Sequence, residues 1–473
     1  GIFLYFYNIV INKSVDKEYL KETYGNMLWF QFNHINKSSM QKDIFFDLGN
    51  FFYQGKFVHQ DYFKAKACFE IAAKENNYEA QNNLGIIYLK GLGTEPDPSL
   101  AFQYFMSSAN GNYCDAHRNL GICYEHGIGV KQDYLKAIKH YESAAGYEKS
   151  DVLIHLGNFY LKGIGVQQNT DIAIKYYNLA IKIGNSDGYI ALGNIYYNGV
   201  GCAVDYQRAK LYYEKAAEQH DSYAFMYLGD MYRFSKGVER DLTRAIKYYE
   251  DSIKFGNPKA YRSLGDLYKD RNNGKTNFQK AIECYNKAVN IYDDPEAAYN
   301  LGILYKNGYD IKPDYSKARH YFEISANEKN YLSYYELGIM YFNGLGVVKN
   351  YATAKKYLEI SAEHNVSFAD LVLAEIYENG YGVKQDYLQA KLYLEKAAKL
   401  GNTFALIILG DMFKNGQGVE QNNMMAISYY LLAARQNFST GLYYMGQLYS
   451  TGDITQIDNS KAIQYFLKCI AVK

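Results

Sequence analysis

The sequence predicts an all-α protein of about 12 stacked helix pairs with a 36-residue period. Two observations lead there. A Leu-Gly pair returns every 36 residues, at Leu48-Gly49, Leu84-Gly85, Leu120-Gly121, Leu156-Gly157, Leu192-Gly193, Leu228-Gly229 and Leu264-Gly265. After one step of 37 it continues at Leu301-Gly302, Leu337-Gly338 and Leu409-Gly410, with Leu373-Ala374 and Met445-Gly446 as variants. Seventeen residues after each of these positions stands an alanine, from Ala65 to Ala462, and four before each alanine an Asp or Asn, from Asp61 to Asp458. A fixed period in this range marks a repeat array, in which each unit buries its apolar face only against its neighbours.

The first helix of each repeat carries the Leu-Gly pair. Four residues after the Leu comes a tyrosine, as in Tyr88, Tyr124, Tyr160, Tyr196, Tyr232, Tyr268, Tyr305 and Tyr341, so both share one helical face. A mid-helix glycine costs about 1 kcal/mol relative to alanine. Its recurrence predicts close approach of a neighbouring helix, and Ala374 keeps the position small. A glycine-rich turn follows, such as Gly127-Ile128-Gly129-Val130 and Gly380-Tyr381-Gly382-Val383, and reads as a left-handed helix end. It completes no G-x-G-x-x-G or Walker pattern, so it is not a phosphate cradle. The second helix then starts on the Asp or Asn, whose side chain is suited to cap it. A ring or Leu four residues after the alanine, as in Phe69, Tyr141, Tyr177, Tyr213, Tyr249, Leu358 and Phe466, completes its apolar face.

These residues resemble the Sel-one-like repeat (SLR) family, relatives of the tetratricopeptide repeats. The segment Asp386-Tyr387-Leu388-Gln389-Ala390, continued by Tyr393-Leu394-Glu395-Lys396-Ala397-Ala398, is close to the family pattern, and the match covers about 40–473. The resemblance implies a right-handed α-solenoid of antiparallel helix pairs. It also implies an adaptor that assembles protein complexes, in settings that include membrane-associated protein degradation, cell-wall synthesis, kinase-linked signalling and host interaction.

Departures from the pattern cluster over 235–300. Ser235 replaces a turn glycine, Arg271 and Asn273 replace two more, and the one-residue insertion falls near Tyr292-Asp293-Asp294-Pro295. An irregularity in curvature is expected there. Residues 1–39 do not fit the repeat and read as a divergent helical cap or linker, leaving 40–473 as the array. The run Gly1 to Ile11 is apolar but too short to span a membrane, which takes about 20 residues. The chain starts without methionine and stops inside the twelfth repeat, so a longer parent protein is expected.

Charge is balanced at +1, which argues against a nucleic-acid partner. Tyrosine is abundant, at 53 residues, and the repeat's packing positions account for many of them. The six cysteines, Cys68, Cys114, Cys123, Cys202, Cys284 and Cys469, follow no repeat position and suit a reducing compartment; Cys114 and Cys123 share one repeat and are the one conceivable bridge. Nine histidines show no metal-ligand spacing. No nucleophile or kinase motif appears. The expectation is therefore a non-enzymatic scaffold with no cofactor, metal or small-molecule substrate. A cytoplasmic location follows from the cysteines, while N-x-S/T triplets at Asn12, Asn36, Asn365 and Asn437 keep a secretory lumen open. Membrane association would need flanking segments. The other roles considered are the regulatory arm of a larger enzyme such as a protein kinase, and the adaptor arm of a membrane-bound ubiquitin-ligase complex.

By analogy with tetratricopeptide units, the partner face lies on the first helices, two residues before the Leu and two and five after it. At the centre this selects Asn158, Asn194, Met226, Asp230, Arg233, Arg262, Asp266, Lys269, Tyr299, Tyr335 and Phe342. Mixed charges beside aromatics suit an anchor-and-rim interface.

Overall fold

The computed structural model describes residues 39–471, apart from 57–58, 147–149, 273, 310, 437 and 453–454. The expected cap over 1–39 lies outside the described residues, except for Ser39. Among the described residues there are 24 helices and no strand. The chain divides into two compact units, Gly1–Arg240 and Asp241–Lys473.

The N-terminal unit holds α1 (Ser39–Gln54), α2 (Tyr62–Lys74), α3 (Tyr78–Lys90), α4 (Pro98–Ala109), α5 (Cys114–His126), α6 (Tyr134–Ala145), α7 (Ser150–Lys162), α8 (Thr170–Lys182), α9 (Asp187–Asn198), α10 (Tyr206–Glu218) and α11 (Ser222–Phe234). The C-terminal unit holds α12 (Leu242–Lys254), α13 (Ala260–Lys269), α14 (Phe278–Tyr292), α15 (Pro295–Asn307), α16 (Tyr315–Asn327), α17 (Tyr331–Asn343), α18 (Tyr351–Glu363), α19 (Ser367–Asn379), α20 (Tyr387–Lys399), α21 (Thr403–Asn415), α22 (Asn423–Arg435), α23 (Ser439–Thr451) and α24 (Asn459–Ala471). Within each unit every helix packs on the one before it and the one after it. This is helix-pair solenoid packing.

The twelve caps form as the sequence predicts. Each Asp or Asn accepts a hydrogen bond from the backbone N–H three residues on, as in Asp61 from Lys64 (3.0 Å), Asp205 from Arg208 (3.0 Å), Asn350 from Thr353 (2.9 Å) and Asp458 from Lys461 (2.9 Å). The cap's own N–H donates back to the first helix. Asp205 N–H reaches the Tyr196 carbonyl at 2.8 Å, and Asp386 N–H the Tyr377 carbonyl at 2.8 Å. One residue thus closes the turn and starts the next helix. Asp205→Ala is expected to cost about 1 kcal/mol, the usual loss for a cap, read as a lowered unfolding midpoint by circular dichroism.

The two turn glycines have different tasks. The first ends the helix in the left-handed region, and where Ser235 replaces it the backbone keeps that conformation, with φ of 56°. The second lies against the preceding repeat. A Cβ on Gly129 would stand 2.0 Å from the Pro98 carbonyl oxygen at the start of α4. The glycine of the Leu-Gly pair has a third reason. A Cβ on Gly193 would meet the Tyr213 ring at 2.4 Å, and one on Gly121 the Tyr141 ring at 2.4 Å. What approaches is the ring of the same repeat's second helix, lying flat across the first helix. Six of these tyrosines, including Tyr141, Tyr177, Tyr213 and Tyr285, are among the largest fully buried side chains.

The irregular stretch is a change of helix length. Helix α13 has 10 residues and α14 has 15, against 13 in most others. Asp293 ends α14 with φ of 53°, and Asp294 caps α15 through the Glu296 and Ala297 N–H groups. In place of the missing turn glycines, Arg271 stacks on Tyr309 at 4.1 Å, and Tyr309 stacks on Phe278 at 5.1 Å.

Candidate functional site

All eleven residues selected for the partner face are half-buried. The structure gives most of them internal partners as well. In the N-terminal unit, Tyr177 donates its hydroxyl to Asn158 Oδ1 (2.8 Å) and Tyr213 to Asn194 Oδ1 (2.7 Å). The Asp230 carboxylate lies close enough to add to the upward pKa shift of Tyr197, whose first cause is burial. The Arg233 guanidinium lies 4.8 Å from the centre of the Phe234 ring. Met226 is half-buried on the same helix, α11.

In the C-terminal unit, Arg262 is ion-paired with Glu296 and with Asp294, the latter at 3.5 Å and almost wholly buried. Asp266 accepts from Tyr285 at 2.5 Å. Lys269 donates to Asn300 at 2.8 Å. Tyr299 packs on Phe322 (5.9 Å between centroids), Tyr335 on Phe368 (6.3 Å), and Phe342 edge-on to Tyr351 (5.4 Å) and Tyr381 (5.7 Å).

A pairing between the helices of one repeat emerges that the sequence reading missed. Where the second helix offers a tyrosine, the residue two after the Leu is an acceptor: Asn158, Asn194, Asp266, or Asp411, which takes the Tyr430 hydroxyl at 2.6 Å. In the third repeat that residue is Ile122, and Glu125 accepts from Tyr141 instead (2.6 Å). Where the second helix offers Phe105, Phe322 or Leu358, the matching residue is Ile86, Ile303 or Ile339. The physical reason is that a buried hydroxyl left unpaired costs about 1–3 kcal/mol. The signal was present as two columns of letters that change together.

Other tyrosines stack in pairs across the two helices of a repeat. Tyr160 pairs with Tyr176, Tyr196 with Tyr212, Tyr305 with Tyr321 and Tyr341 with Tyr357, at 5.7–5.8 Å. Basic side chains cover several of them, such as Arg208 over Tyr196 and Lys317 over Tyr305, each at 5.1 Å. These faces are spent within the protein rather than laid out as a base-stacking platform. Two histidines far apart in sequence also meet: His117 Nδ1 lies 3.0 Å from His140 Nδ1. Burial, then His117 and Lys136, push His140 down to about 4. Among the described residues no group of three or more His, Cys, Asp or Glu side chains could hold a metal ion, and no disulfide forms, Cys114 and Cys123 included. No described helix is long and apolar enough to cross a membrane.

Repeated hairpins with a Leu-Gly helix, an αL turn and an Asx-capped second helix define an all-α helical-repeat protein, a class typically used as a protein-interaction scaffold. The chain belongs to the Sel1 repeat family, matching it over residues 46–77, 79–113, 114–145, 150–185, 186–221, 222–252, 258–290, 295–330, 332–366, 367–402, 403–438 and 439–468. It is similar to the SLR-fold protective antigen of uropathogenic Escherichia coli strains, with 26% identity, 91% of this chain and 92% of that chain covered, and a TM-score of 0.55. A Sel1 repeat protein from Oxalobacter formigenes is 31% identical over 52% of this chain and 96% of that one, with a TM-score of 0.47. No curated protein sequence matches.

Proposed function

We propose that the chain is a non-enzymatic scaffold that holds a protein partner on its first helices, through Asn158, Asn194, Met226, Asp230 and Arg233 of the N-terminal unit and Arg262, Asp266, Lys269, Tyr299, Tyr335 and Phe342 of the C-terminal unit. One observation carries this reading. The Leu, Gly, Ala and cap positions stay nearly constant from repeat to repeat, whereas the positions two before and five after the Leu run through Arg262, Tyr299 and Leu371, and through Arg233, Lys269, Phe342 and Glu378. A surface whose letters vary over a uniform frame offers a partner a different contact at each step. Family membership supports the same reading, since arrays of this kind typically assemble other proteins.

The test uses the full chain as bait, with a triple substitution of Arg233, Arg262 and Lys269 to Ala. Capture of the wild-type partner is expected to fall sharply, while the helical signal stays. Because Arg262 holds Asp294 and Glu296, a second bait with Tyr335→Ala and Phe342→Ala separates lost contacts from a loosened repeat. If both baits retain the partner in full, these residues are not the binding face.

A further inference from the structure

The tenth repeat breaks the pairing that most others keep. Its second helix offers Leu394 where other repeats place a tyrosine or another apolar side chain, yet the residue opposite is Glu375. Two other repeats also lack the match, but there the residue is a neutral amide, Asn50 or Gln447. Leu394 has no hydroxyl to give. Among the described residues, neither the Glu375 nor the Glu378 carboxylate has a hydrogen-bond or ion-pair partner. Glu375 is exposed and Glu378 half-buried, and the partial screening of Glu375 from water, then Glu378, raise its carboxyl above the ordinary value.

A cavity of about 410 Å³ opens here, lined by Leu371, Ala374, Leu394, Phe404 and Ile408, with Glu375 and Glu378 at its edge. It opens beside an exposed apolar stripe. Leu332, Phe368 and Phe404, one from each of three successive first helices, are 46%, 52% and 51% exposed. The same position is acidic in most repeats of the N-terminal unit, at Asp43, Glu79, Asp115, Asp151 and Asp187, with Tyr223 the exception. Three successive repeats of the C-terminal unit thus carry an apolar residue at a position that Lys259, Glu296 and Thr440 keep polar in its other repeats, and they do so next to two carboxylates without partners.

We propose that this slot takes a lysine or arginine side chain from an apolar, basic segment of a partner protein. The aliphatic stem lies on Leu371 and Ile408, and the cation meets Glu375 and Glu378. Neighbouring apolar residues of the segment lie on Phe368 and Phe404. Long basic side chains are built for such a place, with an apolar stem and a charged tip. Charge complementarity selects this occupant, since a purely apolar segment leaves both carboxylates desolvated and unpaired, and an acidic one adds like charge. The proposal rests on the scaffold reading and deepens it by naming the chemistry of one contact.

The test measures anisotropy of fluorescent peptides with the full chain, at low and physiological salt. The probes are short peptides alternating leucine with lysine, leucine with glutamate, and serine with lysine. The leucine–lysine probe is expected to bind best and to weaken with salt. Two variants then address the slot. Glu375→Gln with Glu378→Gln removes the charge. Ala374→Gly with Leu394→Tyr restores the pairing used elsewhere and gives Glu375 a hydroxyl. Each is expected to weaken the leucine–lysine probe by at least about tenfold, as for loss of a charge pair. Equal binding of the leucine–glutamate probe, equal binding of the serine–lysine probe, or unchanged binding to the Leu394→Tyr variant overturns the slot. A bait that captures its partner through Arg262 and Phe342 while no probe binds sinks this proposal alone. Failure of both bait substitutions with probe binding intact sinks only the binding face on the first helices.

Discussion

Leu192→Ala lowers the stability of the protein by about 2–5 kcal/mol, the range for truncating a fully buried leucine. Leu192 has no exposed surface and sits in a cluster with Ala173, Tyr177 and Ile195. Two of those belong to α8, the second helix of the preceding repeat. The cavity is thus shared by two repeats, and both lose packing. In a stacked array the damage stays with nearest neighbours. Guanidinium titration gives the loss, and hydrogen exchange gives its reach. Amides of α8 to α10 are expected to lose protection while those of α1 to α4 keep theirs. Equal loss in α1 to α4 means a single global core, contrary to this account.

Gly193→Ala and Tyr213→Leu each destabilise alone and partly rescue one another together. The alanine methyl would meet the Tyr213 ring at 2.4 Å, and overpacking of this kind costs about 1–3 kcal/mol, more than the roughly 1 kcal/mol gained from a better helix former. Tyr213→Leu opens a cavity and strips Asn194 of its donor. Combined, the methyl enters the space the ring has left. The tenth repeat already has this solution, with Ala374 and Leu394 in one buried cluster. A double-mutant cycle by chemical denaturation is expected to give a favourable coupling of about 0.5–3 kcal/mol, the range for residues in contact. Additive losses would falsify the ring-over-glycine explanation of the repeat.

Much of this architecture is legible from letters because its rules act over short spans. A cap such as Asp205 reaches only three residues ahead, so an Asp or Asn before each second helix locates the start directly. A left-handed turn selects glycine at the position itself, so Gly127 and Gly380 mark the first-helix ends. The candidate site is less legible. Asn194 and Tyr213 are 19 residues apart, and only packing shows that they share a hydrogen bond. The pattern of the first helix selects Asn194 and Asp266 for the partner face but says nothing of the hydroxyl from the second helix that reaches each. The meeting of His117 with His140 has no periodic signal, since no other repeat places histidine at both positions. The inserted residue near Tyr292 was visible, but not that α14 takes it up by lengthening until Asp293 turns left-handed.

The matched pairs have a consequence for how such a gene changes length. Gly193 with Tyr213, and Asn194 with Tyr213, both lie inside one period of 36 residues. The contact that crosses from one repeat to the next, such as Gly165 on Tyr134, joins residue types that recur along the chain. Unequal crossing-over that adds or deletes one whole period therefore carries each private match along intact and rejoins the array through interchangeable surfaces. Copy number can drift in a lineage without a compensating substitution, whereas an exchange that splits a period between its two helices separates Tyr213 from both Gly193 and Asn194 and is selected against.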